Sequence, residues 1–185
     1  MSYLDLLNHV TLFRGLSAID RDLAARTREK GCPHCGGPLH TAHYQRKPRG
    51  GHRVEVPAEC RVRLGLCCGA CRRRVLPPSV LYLGRRVYWG SVVLLVTAVV
   101  EGLQRGTIEA LCSRFRVARR TVKRWLEFFR VTFPGGKAWQ GLRGHVSAAV
   151  SNDLLPCSFF AWWFANHGCT VDSLIAGLRL LGCGP

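Results

Sequence analysis

The sequence predicts a mainly α-helical protein that carries one small β ribbon. Apolar residues recur at helical spacing in the first 30 residues and again after residue 87. Residues 31–78 differ, because they are rich in Gly, Pro and Cys and contain short alternating runs such as RVRLGL at 61–66. At 185 residues, the chain is long enough to bury one sizeable core or two small ones.

The patterns divide the chain into four predicted segments. They are a helical N-terminal segment, the ribbon, a domain of three helices and a C-terminal helical tail, at residues 1–30, 31–78, 87–133 and 145–185. The first segment has the spacing of one or two short helices, and Asp20 is a candidate N-cap there. Residues 134–144 (PGGKAWQGLRG) predict a loop. Gly168 is a candidate C-cap between the two apolar helices of the tail.

The ribbon contains two pairs of cysteines at the spacing of metal ligands. Cys32 and Cys35 lie in CPHCGG, and Cys68 and Cys71 lie in CCGAC. Two thiolates three positions apart can bind one ion, and four of them complete a tetrahedral shell, which is typical of a structural rather than a catalytic site. We therefore predict one structural Zn²⁺ ion, because so short a ribbon has too little apolar core to fold without it.

Other assignments of the thiols stay open at this point. Cys67 or Cys60 could replace Cys68 as the fourth ligand, although only Cys68 repeats the spacing of the first pair. A redox dithiol is the alternative to a metal site, but it does not usually occur twice and accompanies a βαβ pattern. The histidines near the ribbon are expected to be exposed or hydrogen-bonded rather than ligands; they are His34, His40, His43 and His52.

The charge predicts a polyanionic partner. The chain holds 27 Lys and Arg against 11 Asp and Glu, a formal net charge of +16. Residues 46–86 hold eleven basic residues against two acidic ones, and residues 104–143 hold ten against two. The excess is therefore confined to two blocks, which predicts two adjacent binding surfaces.

A membrane partner is not expected. The longest apolar run, at residues 92–100, has nine residues, whereas a spanning helix needs about 20. The opening residues MSYLDLLNHV do not have the charged and apolar regions of a signal peptide. We therefore expect an intracellular protein, whose paired cysteines more often bind metal than form disulfides.

Residues 107–131 predict two short amphipathic helices joined by a turn at residues 116–118. Apolar residues lie at i, i+3, i+4 and i+7 from Ile108 and again from Val122, and Thr107 is a candidate N-cap. This is the pattern of a helix-turn-helix. The all-apolar helix predicted within residues 88–103 would be the third, buried member of the domain.

Basic residues occupy the other side of the second helix. A recognition helix contacts base edges and phosphates with its N-terminal half. We expect base readout from Arg120 and Arg124 and phosphate contacts from the remaining basic residues. The predicted DNA-binding residues are Arg72, Arg73, Arg74, Arg119, Arg120, Lys123 and Arg124.

CPHCGG, CCGACRRR and TIEALCSRF…RRTVKRWLEFF, in this order, resemble the N-terminal DNA-binding region of insertion-sequence transposases. In that region a zinc ribbon precedes a helix-turn-helix, and the resemblance covers roughly residues 30–131. It implies a bacterial, cytoplasmic and nucleoid-associated protein that binds double-stranded DNA at transposon ends or promoters. A transposase or a second copy of the chain would be a further partner, and no small-molecule substrate is implied.

The resemblance does not extend to the chemistry of those enzymes. They cut DNA with three carboxylates that hold two metal ions, but only Asp153 and Asp172 follow the helix-turn-helix pattern in this chain. We therefore predict that the protein is not an enzyme but a transposase-related accessory protein or a transcription regulator.

The C-terminal tail supports an alternative function. A dense aromatic run could dock a partner protein as an exposed anchor, which would make the zinc ribbon and tail an interaction module. In the other interpretation, the same rings pack as a core helix against residues 174–181. The rings are Phe159, Phe160, Trp162, Trp163 and Phe164.

Overall fold

The computed structural model describes residues 5–50, 56–82, 88–103 and 108–183 as a mainly helical chain with two small antiparallel sheets. The described helices are α1 (Val10–Glu29), α2 (Gly90–Ala98), α3 (Ile108–Phe115), α4 (Arg119–Glu127), α5 (Lys137–Arg143), α6 (Cys157–His167) and α7 (Val171–Cys183). The strands are β1 (Leu39–Thr41), β2 (Tyr44–Gln45), β3 (Val62–Arg63), β4 (Leu66–Cys68) and β5 (Arg74–Val75). The predicted class, mainly α with a small β ribbon, is confirmed.

Helix α2 lies in the centre of the core, and every one of its residues is buried. Its sequence is apolar on all sides, as expected for a helix that is covered all round. Helices α4 and α6 pack against it. The chain continues as a π-helical segment, Val99–Leu103, that is interrupted at Gly102, whose φ is 121°. In the part of the chain that the structure describes, no helix combines the length and hydropathy that crossing a membrane requires.

The helices α1 and α7 pack against each other. They approach closely at Gly15, where a Cβ atom would lie 2.5 Å from Cδ1 of Ile175. Helix α1 is continuous over its 20 residues, with Asp20 in its middle. The prediction of Asp20 as an N-cap is therefore wrong, because the side chain has a different partner.

The buried carboxylate of Asp20 binds the connector that follows the ribbon. It accepts hydrogen bonds from the hydroxyl of Ser79 and from the backbone N–H of Val80 (2.7 Å) and of Leu81 (3.5 Å). Burial raises the pKa of Asp20 above its ordinary value, although these hydrogen bonds act in the opposite direction. Asp20 thus fixes the connector between the ribbon and the helices.

Two antiparallel sheets form the ribbon. Strands β1, β4 and β5 make the first sheet in the order β1-β4-β5, and Leu39 lies opposite Cys68. Strands β2 and β3 make the second sheet, in which Tyr44 lies opposite Arg63. The first sheet has a small buried cluster of its own, which contains Cys32, Leu39, Leu66 and Cys68. Two of these four side chains are thiols, so the ribbon has little purely apolar core.

Helices α3 and α4 lie where the apolar spacing predicted them. Arg116 follows α3 with a φ of 51°, and the N–H of Val117 donates to the carbonyl oxygen of Cys112 at 3.0 Å. Helix α4 begins after Ala118, which provides no side-chain cap. The proposed N-cap of the first helix, Thr107, lies outside the described residues.

Helix α5 occupies residues that the sequence predicted as a loop, so that prediction is wrong. The Gly and Pro residues that flank it are turn signals, but Trp139 and Leu142 give the segment a buried side. Trp139 is fully buried, and its Nε1 donates to Oδ1 of Asn152 at 2.9 Å. The packing of the indole therefore outweighs the local preference for a turn.

The aromatic run of the tail packs as a core helix. Helix α6 ends at His167, and the next residue, Gly168, has a φ of 74° and is the predicted C-cap. Four of the five rings are buried, namely Phe159, Phe160, Trp163 and Phe164. Nε1 of Trp163 donates to the carbonyl oxygen of Ser173 in α7 at 2.8 Å. Rings in this arrangement do not provide the exposed anchor that a docking tail requires.

Candidate metal centre

Cys32 and Cys35 lie on a tight turn that follows α1. The N–H of Gly36 donates to the carbonyl oxygen of Cys32 at 2.8 Å, and the N–H of Cys32 donates to that of Gly37 at 3.0 Å. Gly36 has a φ of 71°, which glycine adopts readily because it has no Cβ. A Cβ on Gly37 would lie 3.3 Å from Sγ of Cys68 and 3.4 Å from Sγ of Cys35. The backbone of this first knuckle therefore approaches the sulfurs closely.

Cys68 and Cys71 lie on a second knuckle with the same hydrogen bonds. The N–H of Arg72 donates to the carbonyl oxygen of Cys68 at 3.1 Å, and the N–H of Cys68 donates to that of Arg73 at 3.0 Å. Arg72 has a φ of 60° and corresponds to Gly36 of the first knuckle. An L-residue in this left-handed region costs roughly 1–2 kcal/mol, so the second knuckle carries strain that the first avoids.

The four thiols of the two knuckles come together. Sγ of Cys32 lies 3.6 Å from Sγ of Cys71, and Sγ of Cys35 lies 3.5 Å from Sγ of Cys68. All four sulfurs lie within 4.8 Å of one another. Zn–S bonds of about 2.3 Å place the sulfurs of a tetrahedral site about 3.8 Å apart. The four predicted ligands therefore fit one structural metal ion.

The structure also decides between the thiols that the spacing left open. Cys67 lies outside the cluster, with its thiol 3.5 Å from the carbonyl oxygen of Arg72. Cys60 belongs to the main helical core instead. Among the histidines that the structure describes, none joins the cluster, whereas His52 lies outside the described residues. Cys68 is thus the fourth member, as predicted.

The backbone of the second knuckle favours a thiolate. The N–H of Cys71 lies 3.4 Å from Sγ of Cys68 and is the main cause that lowers the pKa of Cys68 to about 6. The pKa of Cys71 is raised to about 12: the backbone N–H of Arg73 opposes the change, but burial and the neighbouring thiols favour the protonated form. A bound cation would stabilise all four thiolates together.

The three arginines after the cluster are exposed but have different surroundings. Arg72 occupies the strained position of the second knuckle. Nη1 of Arg73 lies 3.3 Å from Nδ1 of His34 in the first knuckle. Arg74 lies opposite Cys67 in the sheet and lines a cavity between the ribbon and the helices. The knuckles thus hold these side chains at the edge of the metal centre.

Helix α4 separates basic from apolar residues. Its buried side contains Val122 and Trp125, and its exposed residues include Arg119, Arg120, Lys123 and Arg124. Arg119 forms an ion pair with Glu109 of α3, with 2.8 Å between Nη1 and Oε1. Nη2 of Arg124 lies 3.4 Å from Oγ1 of Thr121. Arg119 is therefore partly neutralised, a pairing that the helical spacing did not predict.

Two further arginines have positions that the sequence did not predict. Arg116 is exposed after α3, and it joins Arg72 as a non-glycine residue with positive φ in the described chain. Arg63 is only 3 % exposed, although it lies in a run of alternating basic residues. The alternation at residues 61–66 gave no signal for this burial, because it places Arg63 on the same face as Arg61, which is exposed.

Comparisons with known proteins do not identify the chain. No protein-family model, no curated protein and no solved structure matches it. The candidate metal centre is therefore supported by its own donor atoms and their distances, and the resemblance to transposases stays a prediction from the sequence motifs.

Proposed function

We propose that the protein is a zinc-dependent DNA-binding protein, a transposase-related accessory or transcription regulator without nuclease activity. The observation that carries this proposal is the junction between the ribbon and α4. The backbone of Arg49 pairs with that of Tyr88, and the N–H of Trp89 donates to the carbonyl oxygen of Arg49 at 3.3 Å. The ring of Tyr88 contacts that of Trp125 in α4 edge-on, with 5.1 Å between centroids. Tyr88, which lies between the two basic blocks in the sequence, thus links Arg49 of the first block to Trp125 of the second.

Zinc is the proposed metal because of the donor set. Four thiolates at tetrahedral spacing are typical of structural Zn²⁺ sites, which have no open position for a substrate. The ion would join the two knuckles and so fix the ribbon, whose own buried cluster is small. Metal analysis of the purified protein distinguishes zinc from iron, which thiolates also bind.

We interpret α3 and α4 as a helix-turn-helix with α4 as the recognition helix. Helix α4 packs against α2 and α3, and this packing leaves its basic residues exposed. In this arrangement Arg120 and Arg124 read base edges in the major groove, and Lys123 contacts phosphates. Arg119 contacts DNA once it leaves its ion pair with Glu109, a cheap step because exposed pairs contribute little.

The two arginines with positive φ support an anionic partner. Arg72 lies in the first basic block and Arg116 in the second, and both are exposed. A protein with glycine at either position would avoid the strain that the arginine carries there. Strained residues of this kind cluster at functional sites, and a guanidinium gives bidentate contacts to phosphate that glycine lacks. Both arginines are thus phosphate contacts in the proposal, together with Arg73 and Arg74.

The test is selection of bound duplexes from a random DNA pool by the zinc-loaded protein, followed by titrations at several salt concentrations. Log affinity should fall against log salt with a slope of about −0.9 for each neutralised phosphate. Arg124→Ala should relax the preference at one base pair by about 1–3 kcal/mol. Arg179→Ala is the matched control, because this exposed arginine on α7 belongs to neither basic block. Equal effects of the two variants, or no binding in dilute buffer, would refute the proposal.

A further inference from the structure

A cavity of about 690 Å³ lies between the ribbon and the helices. Its wall combines residues from the first knuckle, from β2, β3 and β5, from the connector that Asp20 binds, and from Gly182 near the end of α7. This volume falls within the range of small-molecule sites, roughly 300–1,000 Å³. Neither the metal centre nor the proposed DNA contacts account for the space.

The wall of the cavity is cationic. Arg63, Arg74 and His34 line it, and among the lining residues that the structure describes none is an aspartate or a glutamate. Arg74 is exposed at the mouth, whereas Arg63 is 3 % exposed. The wall of the cavity therefore contains one buried and one exposed guanidinium, and guanidinium groups form charge-assisted hydrogen bonds with anions.

The charge of Arg63 has no ionic partner within the described chain. Its Nη1 donates to the carbonyl oxygen of Leu64 at 3.0 Å and its Nη2 to that of Pro77, while its Nε is buried with no hydrogen-bond partner. The carboxyl group of Asp20 acts on it electrostatically while it accepts hydrogen bonds from Ser79 and Val80, so it compensates the guanidinium charge only in part. A buried charge that is only partly compensated is costly, and an anion in the cavity would lower this cost.

The rest of the wall is largely apolar. Pro33, Leu76, Pro77 and Pro78 line it, together with the ring of Tyr44, which lies opposite Arg63 in the small sheet. A flat apolar ring fits against prolines and an aromatic side chain, as in other ligand sites. The complete cavity therefore has one cationic region and one apolar region, and a ligand that matches both carries a phosphate on a ring system.

We propose that this cavity binds a nucleotide, with its phosphate at Arg63 and Arg74 and its base against the proline-rich wall. The site goes beyond the proposed DNA-binding function and does not depend on duplex binding. The nucleotide has two sources with the same chemistry, namely a free mononucleotide or an unpaired nucleotide at the end of a strand.

The test is calorimetric titration of the full-length, zinc-loaded protein with dTMP, thymidine and inorganic phosphate. dTMP should bind with a Kd below about 1 mM and at least roughly tenfold more tightly than thymidine. Arg74→Gln should weaken dTMP binding roughly tenfold or more, since a charge-assisted hydrogen bond is lost. Arg74→Lys should restore part of this affinity. Lys30→Gln removes an equal charge at an exposed residue outside the cavity and should have no effect.

A second measurement separates the two sources. The affinity of the protein for duplexes that end in a 5′-phosphorylated overhang is divided by its affinity for blunt duplexes of the same sequence, and this ratio is the measured quantity. Saturable dTMP binding identifies the free nucleotide, while an overhang preference that Arg74→Gln removes identifies the strand end. Failure of both, or equal binding of thymidine and dTMP, overturns the proposal. Failure to bind blunt duplex refutes the DNA-binding function and leaves the cavity unaffected.

Discussion

Gly36 and Arg72 occupy equivalent positions, each directly after the second cysteine of its knuckle, with φ angles of 71° and 60°. The hydrogen bonds around them also correspond, because each N–H donates to the carbonyl oxygen of the first cysteine. The same backbone conformation therefore occurs with glycine in the first knuckle and with arginine in the second, and only the arginine is strained by it.

Arg72→Gly should leave the free energy of unfolding unchanged or raise it by up to about 1 kcal/mol, because the strain exceeds the extra entropy of glycine. The same variant should bind DNA more weakly, with a salt slope smaller by about 0.9. Denaturant unfolding in excess zinc and salt titrations measure the two effects. Gly36→Ala is the matched control and should destabilise the protein, although a Cβ there has open space. A clear loss of stability in Arg72→Gly would contradict this prediction.

Cys71→Ser should lose the metal and the fold of the ribbon, since three thiolates and a hydroxyl form a poor zinc site. The helical signal in circular dichroism should largely remain, because the main core contains none of the four ligands. Cys67→Ser is the control and should retain one metal ion per chain. Elemental analysis of both purified variants is the measurement, and full metal content in Cys71→Ser would exclude the assigned ligand set.

Asp20→Asn should change how stability depends on pH. Burial raises the folded-state pKa of Asp20 above that of the unfolded chain, so the native protein loses stability as pH rises from about 4 through the folded pKa. The asparagine keeps an acceptor without this loss, so the stability of Asp20→Asn relative to the native protein should increase over the same window. Unfolding at several pH values measures this difference, in which effects of pH on the metal cancel. A difference that shrinks with rising pH would show that the hydrogen bonds outweigh burial.

Asp20→Ala serves as the comparison for that variant. It removes the acceptor for the Ser79 hydroxyl and for the N–H of Val80. Buried donors that lose their partners cost about 1–3 kcal/mol. The variant should therefore be less stable than Asp20→Asn throughout the pH series.

Glu109→Gln should strengthen DNA binding. It releases Arg119 from its ion pair and removes a negative charge beside the basic side of α4. The affinity should rise while the salt slope changes little, because Arg119 contacts a phosphate in both complexes. Stability should change by less than about 1 kcal/mol, because the pair is exposed. Glu29→Gln, an exposed glutamate at the end of α1, is the control for the charge change. Unchanged binding would mean that α4 does not face DNA.

The sequence was most informative where the structure depends on local spacing. Two repeated intervals predicted the clustered thiols of Cys32, Cys35, Cys68 and Cys71, and the apolar periodicity located α3 and α4. Both signals lie within a few residues, so they do not require knowledge of distant contacts.

Features that depend on distant contacts were not predictable in this way. Glycine and proline around α5 indicated a turn, but the helix forms because Trp139 is buried in a core built from other segments. Aspartate is a residue type that is favoured at N-caps, yet the hydrogen-bond partners of Asp20 lie some sixty positions further along the chain. The sequence likewise predicts Arg63 as a surface charge, but in the structure it is buried beside the connector, where it donates to the carbonyl oxygen of Pro77.

The pairing of α1 with α7 has a consequence during translation. The ribosome makes α1 long before α7, so the nascent chain holds the first helix without its later partner. The four clustered cysteines of the ribbon are all synthesised well before α7, so their thiols are available to a metal ion while synthesis continues. We therefore expect metal binding by the ribbon to precede the packing of α7 against α1 during synthesis.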